Sequence, residues 1–284
     1  MTGKALVLGG GGITGIGWEL GMLAGLAQQG MDLSDADLVV GTSAGSIVGT
    51  QLTSGVSVGE LYADQLAPPE PGKAARMGPR TLLTFAWVLA RSRDPAAARV
   101  RFGRLARSAR TVPAAERRAV IEARLPTRDW PAQRLLITAV DAESGEFAAF
   151  DAASGVALAD AVGASCAVPG VWPPVSINGR LWMDGGMRSP ANVDLAAGCE
   201  RIVVIAPLVR GFRAMPSVGR QAAELRAAGS QVVVVSPDQA ALAAIGRNVL
   251  DPAHRAPAAR AGHAQAASVA ADVAAVWQET ATRP

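Results

Sequence analysis

Histidine, cysteine and tyrosine are scarce, because the 284 residues include two His, two Cys and one Tyr. Cys166 and Cys199 form no C-x-x-C pair and have small or apolar neighbours in the sequence. This favours buried, reduced thiols over a disulfide. His254 and His263 both lie late in the chain, among Ala and Arg. So few ligands, so widely scattered, predict no metal site.

Long apolar runs are also missing. The most apolar stretch, TLLTFAWVLA at 81–90, is bounded by Arg80 and Arg91 and is too short to span a membrane. The start, MTGKALVLGG, lacks the basic, apolar and cleavage regions of a secretory signal. We therefore expect a cytoplasmic protein whose contact with membranes, if it has any, is peripheral.

Acidic residues are few in one region. Residues 73–128 contain 14 Lys and Arg against 3 Asp and Glu, so a chain of net charge +3 has a local excess of +11. A solvated helical face is the simpler interpretation. A surface for anionic lipid or acidic ligands is the alternative. We expect no nucleic-acid partner, and the composition implies no particular oligomeric state.

Strand-like and helix-like segments alternate along the chain. The strand-like runs are 4–9, 37–41, 134–140, 146–150, 180–183, 201–206 and 231–235. The helix-like stretches are 15–29, 44–53, 81–92, 157–167, 216–228, 238–248 and 256–278. This predicts an α/β fold of three layers, with helices on both faces of a mostly parallel central sheet. We expect one domain over 1–284, with an Arg-rich helical insertion at about 66–128 that contains the break PPEPG.

A glycine-rich turn follows the first predicted strand, in ALVLGGGGITGIG. Gly10, Gly12 and Gly15 match the dinucleotide-binding pattern G-x-G-x-x-G. That function needs an acid at the end of the second strand, whereas Asp37 stands at its start. The same turn could instead form an oxyanion hole from the backbone N–H groups of Gly11 and Gly12, or be a plain βα turn.

A candidate nucleophile follows the second predicted strand, in GTSAGS at 41–46. Gly41 and Gly45 remove side chains that would clash in a sharp turn from strand to helix. Ser43 would then stand at the N-terminus of the next helix, where the N–H groups around Ala44 add to anion stabilisation. The pattern G-x-S-x-G alone is weak evidence, but this position between a strand and a helix strengthens it.

A candidate acid follows a later strand, in RLWMDGGMRSP. Asp184 precedes Gly185 and Gly186, and we expect it at the carboxyl end of its strand, on the same sheet edge as Ser43. An Asp-Gly turn residue that bonds its own backbone is the simpler alternative.

Taken together, LGGGGITG, GTSAGS, ASCAVPGVWPP and DGG, in this order, resemble the patatin-like phospholipase family over roughly residues 4–210. The resemblance implies a lipid acyl hydrolase with a Ser-Asp dyad and no histidine. It implies that Ser43 is the nucleophile, Asp184 the base and Gly10 to Gly12 the oxyanion loop. The sequence departs from the family at Thr14, where members typically carry Arg or Lys.

The chemistry implied by these residues needs neither a cofactor nor a metal. Asp184 would accept the proton of Ser43 and later activate water, provided that burial raises its pKa from about 3.9. The apolar neighbours Leu181, Trp182 and Met183 could provide that burial, together with Met187. Two other functions stay open: a nucleotide-binding module that uses the glycine turn, and a catalytically weak lipid-binding homologue, suggested by Thr14.

Overall fold

The computed structural model describes residues 2–68 and 75–278. Within these residues eight strands form one sheet. The strands are β1 (Lys4–Leu8), β2 (Leu38–Gly41), β3 (Arg134–Asp141), β4 (Phe147–Phe150), β5 (Val175–Ile177), β6 (Arg180–Asp184), β7 (Arg201–Ile205) and β8 (Gln231–Val235). Their order is β5-β6-β3-β2-β1-β7-β8, with β4 paired to β3. Strands β1, β2, β3, β7 and β8 pair parallel, and β4, β5 and β6 pair antiparallel. The sheet is therefore mostly parallel, as the sequence predicts.

Helices cover both faces of the sheet. They are α1 (Gly12–Gln28), α2 (Ala44–Leu52), α3 (Val58–Leu66), α4 (Pro79–Arg91), α5 (Pro95–Ser108), α6 (Ala114–Glu122), α7 (Leu158–Ser165), α8 (Val218–Ala227), α9 (Gln239–Ile245) and α10 (Arg255–Trp277). On β1, Leu6 and Leu8 pack with residues of α1, α2, α7 and α10. The alternate residues Ala5 and Val7 pack with α8 on the other face. Because successive strand residues point to opposite faces, one short apolar run contributes to both cores, and three layers result.

Helices α1 and α10 are closely paired. Added Cβ atoms on Gly17 and Gly21 would meet the carbonyls of Arg255 and Ala259, and one on Gly262 would meet the carbonyl of Trp18. Glycine at these three positions allows the two backbones to approach each other. Helix α10 contacts β7 and β8, and α1 packs in one apolar cluster with Leu6 and Leu8 of β1.

Helices α4, α5 and α6, called the insertion below, come from the Arg-rich region. Val88 and Phe102 pack with Val140 of β3 and Met183 of β6 in a third apolar cluster. Within the described residues the opposite side of α4 is not covered, because its large apolar side chains are exposed: Leu82 is 53% exposed, Leu83 71% and Trp87 53%. Most of PPEPG, and the side chains of Arg80 and Leu89, lie outside the described residues.

Strand β6 brings Asp184 to the site in a way that the sequence does not predict. From the sequence we expect the carboxyl ends of parallel strands to meet at one edge of the sheet. Strand β6 instead runs antiparallel to β3, with Asp184 opposite Ala139. Strand β2 pairs with the first half of β3 and ends with Gly41 opposite Ile137. Since β4 occupies the other edge of β3 over Ile137–Val140, β6 continues along the edge that β2 leaves free. The carboxyl ends of β2 and β6, at Gly41 and Asp184, therefore face each other along the same edge of β3.

Candidate active site

Ser43 occupies the sharp turn between β2 and α2. Its backbone has φ 54° and ψ −116°, a conformation that is strained for a residue with a side chain. A Cβ atom on Gly41 would lie 2.6 Å from Cα of Ser46, and one on Gly45 would clash with the Leu8 carbonyl. The two glycines therefore permit the turn, and the turn directs Ser43 away from the sheet, as in a nucleophile elbow.

Residues from the ASCAVPG segment hold this strained turn. The hydroxyl oxygen of Ser165 accepts a hydrogen bond from Ser43 N at 2.9 Å. Cys166 Sγ donates to the Ser43 carbonyl at 3.3 Å, and Ser46 Oγ donates to the same oxygen at 2.7 Å. Burial raises the pKa of Cys166 to about 11, so that it remains a neutral thiol and a donor. The sequence motif contains Ser165 and Cys166, but its spacing does not indicate that they bind the Ser43 backbone.

Asp184 is buried beside Ser43, with 2% of its surface exposed. Its Oδ1 accepts a hydrogen bond from Gly186 N at 2.7 Å. Desolvation by burial raises its pKa to about 7, while the Ser43 hydroxyl, the Gly186 amide and the Arg117 guanidinium act to lower it. Part of the carboxyl population is therefore protonated at neutral pH.

A buried polar network joins the strands that carry these two residues. Asn192 Nδ2 donates to Thr42 Oγ1 at 3.0 Å and to the Gly185 carbonyl at 3.3 Å. Thr138 Oγ1 donates to Thr42 Oγ1 at 3.0 Å. A Cβ atom on Gly185 would lie 2.6 Å from the Thr138 carbonyl, so β3 and the acid loop are in direct contact. The network fixes the acid loop relative to the end of β2.

The glycine loop, residues 9–15, lies next to Ser43. The N–H of Gly10 is engaged, since it donates to the Pro190 carbonyl at 2.8 Å. Within the described part of the chain, the N–H groups of Gly11, Gly12 and Ala44 have no hydrogen-bond acceptor. Gly12 has φ +61°, which suits glycine best, and its Cβ would lie 2.5 Å from the Val249 carbonyl. Of the loop residues predicted for anion binding, Gly11 and Gly12 therefore have free donors and Gly10 does not.

Gly15 and Thr14 form the start of α1 behind this loop. A Cβ on Gly15 would be 3.2 Å from Cγ of Pro207. Thr14 is fully buried, and its backbone N–H donates to the Val249 carbonyl at 3.1 Å. The loop position at which the family carries a cation thus holds a neutral, inaccessible side chain.

A cavity of about 1800 Å³ contains Ser43, Asp184, Gly11 and Gly12 in its wall. Aliphatic and aromatic residues form much of the rest, among them Ile16, Ile47, Val120, Trp172, Leu208 and Phe212. Arg117 of α6 also lines it. Sequence reasoning did not identify Arg117, because one arginine among the 14 Lys and Arg of residues 73–128 has no distinguishing local pattern.

Neither histidine lines this cavity. His254 Nδ1 lies 2.7 Å from the carbonyl of Ala244. The His263 ring stacks on Tyr62 with 4.9 Å between centroids. Among the described residues there is also no cluster of His, Cys, Asp or Glu suited to a metal ion, and no helix long and apolar enough to cross a membrane.

Comparison with known proteins gives one family. A family model for patatin-like phospholipase matches residues 6–197. No curated protein matches the chain. Among solved structures, VipD from Legionella pneumophila is similar, with a TM-score of 0.48 and 14% identity over 96% of this chain and 67% of that one. The type III effector protein ExoU has a TM-score of 0.41 and 15% identity over 95% of this chain. The match covers 53% of the ExoU chain, about half its length.

The family match includes the glycine loop, Ser43 and Asp184 and extends over more than half of the chain. It favours a lipid hydrolase over the nucleotide-binding alternative. The chain belongs to the patatin-like phospholipase family.

Proposed function

We propose that this protein is a serine acyl hydrolase of the lipase or phospholipase A type, which cleaves carboxylic esters of lipids with Ser43 and Asp184. The observation that carries the proposal is the pairing of a strained serine at φ 54° with a carboxyl that burial brings to a pKa of about 7. The two line one largely apolar cavity, and neither histidine lines it. A Ser-Asp dyad fits this arrangement better than a Ser-His-Asp triad.

In the first half of the proposed reaction, Ser43 Oγ attacks the ester carbonyl carbon and its proton passes to Asp184. The carbonyl π electrons move to oxygen, and the oxyanion accepts hydrogen bonds from Gly11 N–H and Gly12 N–H, with Ala44 N–H at the start of α2 nearby. The bond from carbon to the alcohol oxygen then breaks. Asp184 returns the proton to the departing alcohol, and an acyl-Ser43 ester remains.

In the second half, Asp184 takes a proton from water, and the resulting hydroxide attacks the acyl-Ser43 carbonyl. The same N–H groups stabilise the second oxyanion. The intermediate collapses with cleavage of the bond from carbon to Ser43 Oγ, and Asp184 returns the proton to the serine. A fatty acid leaves and the free enzyme is restored, with no metal or cofactor in the cycle.

The raised pKa of Asp184 supports a role in which this residue both accepts a proton and returns it. An aspartate of ordinary pKa is almost fully ionised at neutral pH but is a weak base. At a pKa of about 7 the carboxylate is a stronger base, and a useful fraction of it is ionised at neutral pH. The cause is burial, and the Gly186 N–H keeps the carboxylate oriented while it exchanges protons.

The cavity wall supports an apolar acyl group as substrate. The wall includes Ile16, Ile47 and Val120. Leu208 and Phe212 also line the cavity, and each is about half exposed, at 49% and 50%. A lipid chain could therefore enter past apolar side chains without losing contact with apolar surface.

Labelling with a fluorophosphonate tests the proposal. Ser43 Oγ would displace fluoride from phosphorus and form a stable phosphonyl ester, so we expect wild-type protein to gain one probe per chain and Ser43→Ala to gain none. The Ser43→Ala protein should keep the wild-type circular dichroism spectrum and lose hydrolysis of lipid esters. An unlabelled wild type would favour the catalytically weak lipid-binding homologue, and turnover by Ser43→Ala would exclude Ser43 as the nucleophile.

A further inference from the structure

Arg117 is a largely buried cation without a polar partner in the described part of the chain. Its guanidinium stacks on the Trp172 ring, 4.0 Å from the ring centroid. Its Nε is buried and has no hydrogen-bond acceptor. The next residue contrasts with it, because Arg118 points to solvent and forms ion pairs with Glu122 and Asp160. Glu122 and Asp160 therefore neutralise Arg118, whereas Arg117 lines the cavity.

The charge of Arg117 acts on the Ser43 site. Its guanidinium lowers the pKa of Asp184 and of Cys166 by electrostatic attraction to their ionised forms. Burial lowers the pKa of Arg117 itself to about 10, so that the side chain is still a cation at neutral pH. An unpaired buried charge is costly, and the cost is offset when an anion binds.

The glycine loop does not provide such a charge. Thr14 is neutral and fully buried, and the backbone at that position is tied to the Val249 carbonyl. A cation that meets an anionic substrate would therefore belong to another element that reaches the cavity. Arg117 lines the cavity from α6, as Arg124, Arg210 and Arg255 do from other segments, and its guanidinium lies over the Trp172 ring. A planar guanidinium can form two parallel hydrogen bonds with a phosphate.

We infer that Arg117 binds the phosphate of a lipid headgroup while Ser43 attacks a nearby acyl ester, so that the protein prefers phosphate-bearing glycerolipids to neutral ones. This inference rests on the proposed function and adds a specificity-determining residue to it. It places recognition of the headgroup on the insertion, and the chemistry on β2, β6 and the glycine loop.

The test compares two substrates with identical acyl chains, a diacylglycerol and the corresponding diacylglycerol phosphate, in the same neutral detergent micelles. Arg117→Met should lower the ratio of kcat/KM for the phosphate lipid to that for the neutral lipid by about 10- to 100-fold, the scale of a lost charge-assisted hydrogen bond. Arg117→Lys should recover part of the loss. Assays at about pH 8.5, between the pKa values of about 7 for Asp184 and about 10 for Arg117, limit effects of changed ionisation.

Arg107→Met is the matched control. Arg107 belongs to the same insertion, is exposed and does not line the cavity, so its loss removes an equal charge and should leave the ratio unchanged. Fluorophosphonate labelling rates and thermal melting verify that each variant is folded. Equal losses on both lipids in Arg117→Met, or an unchanged ratio, would overturn the inference. So would an equal fall of the ratio in Arg107→Met.

A binding measurement separates this inference from the proposed function. Calorimetric titration of Ser43→Ala with micellar diacylglycerol phosphate should show binding that Arg117→Met weakens about tenfold in the same background, and inorganic phosphate should give no measurable heat. A wild type that hydrolyses neither lipid would contradict the proposed function, and this titration would still decide the role of Arg117. Binding that is indifferent to Arg117, or Arg117-dependent binding of inorganic phosphate alone, contradicts the headgroup assignment.

Discussion

Buried backbone forms the wall of the cavity that carries Ser43, whereas side chains of the insertion, several of them exposed, form another wall. Around Ser43, positions 41, 45 and 185 have no room for a Cβ atom. In the insertion, Val112 and Val120 line the cavity and are 37% and 40% exposed. The proposed catalytic wall is thus fixed by close backbone contacts, and the proposed lipid-binding wall is formed by partly exposed side chains. The predictions below test that division, from the largest expected effect to the smallest.

Replacing Asp184 by Asn should have the largest effect. The amide keeps the shape of the carboxyl and can still accept the Gly186 N–H, but it cannot take a proton. We expect kcat to fall about 10³-fold, within the usual range for loss of a general base. Steady-state kinetics with a soluble ester measure this. Activity within a few fold of wild type would exclude the dyad.

The same variant should be more stable at high pH. In the unfolded chain Asp184 ionises with a pKa near 3.8, and in the folded protein with a pKa of about 7, so the folded state holds the extra proton between these values. The contribution of Asp184 to the stability of the wild type therefore falls as pH rises from about 4 to 7. Asp184→Asn should gain up to about 4 kcal/mol in free energy of unfolding at pH 8 and almost nothing at pH 4, as measured by urea titration.

A valine at position 12 should have the next largest effect. Gly12 has φ +61°, and a Cβ atom there would lie 2.5 Å from the Val249 carbonyl, so Gly12→Val shifts the glycine loop. We expect turnover to fall by on the order of 10²-fold, the scale of a lost oxyanion donor. Gly59→Val is the control, because Gly59 lies on α3 with open space around its Cβ position. A similar loss in both variants would show that valine acts only through stability.

The value of kcat/KM should rise tenfold per pH unit below about pH 7 and become constant above it, because Asp184 acts as a base only when ionised. Such an inflection lies close to that of a histidine, so its position alone does not identify the base. A variant with His254→Ala and His263→Ala should keep both the inflection and the rate, because neither ring reaches the cavity. Loss of the inflection in the folded double variant would favour a Ser-His mechanism.

The smallest expected effect concerns the membrane, and it tests the exposed wall. Trp87 and Leu83 stand on the uncovered side of α4, and Arg91 is exposed at its end. Sedimentation with anionic vesicles should show salt-sensitive binding that Trp87→Ala or Arg91→Glu weakens several-fold, at roughly 1 kcal/mol for a basic residue near the surface. Arg220→Glu on α8 should bind as wild type does. Equal binding to neutral vesicles, or none to either, would leave α4 as a cover for the cavity.

The sequence predicts the strands well where burial is continuous. The run RLLITAV belongs to β3, whose residues after Arg134 are all buried, so composition alone identifies it. The sequence misses β5, because the three residues VSI carry too little apolar signal before the turn at Asn178 and Gly179. It also does not determine how α4 packs, because TLLTFAWVLA carries apolar residues on nearly all sides of a helix. One side packs through Val88 and the other is exposed, a choice that depends on the tertiary neighbours.

The sequence identifies the candidate site residues that follow strands. It does not identify the residues that hold these in place through hydrogen bonds. Ser43 and Asp184 follow strands and stand among glycines, which is a local signal. The direction of β6 is not local, since it depends on which edge of β3 is free. Asn192, fully buried at φ 50°, and Ser165 act through hydrogen bonds to distant backbone, and no spacing in the chain encodes such partners.

Helix α10 and the Val249 carbonyl hold α1 and the glycine loop in place, and this sets the timing of assembly during translation. Residues 255–277 are made more than 200 positions after Ser43. At about 5–20 residues per second, Ser43 leaves the ribosome roughly 10–40 s before the helix that packs on α1. Throughout that interval the nascent chain carries its serine without the partner that fixes the neighbouring loop. We therefore expect chains still being synthesised, and fragments from interrupted translation, to lack the complete candidate site.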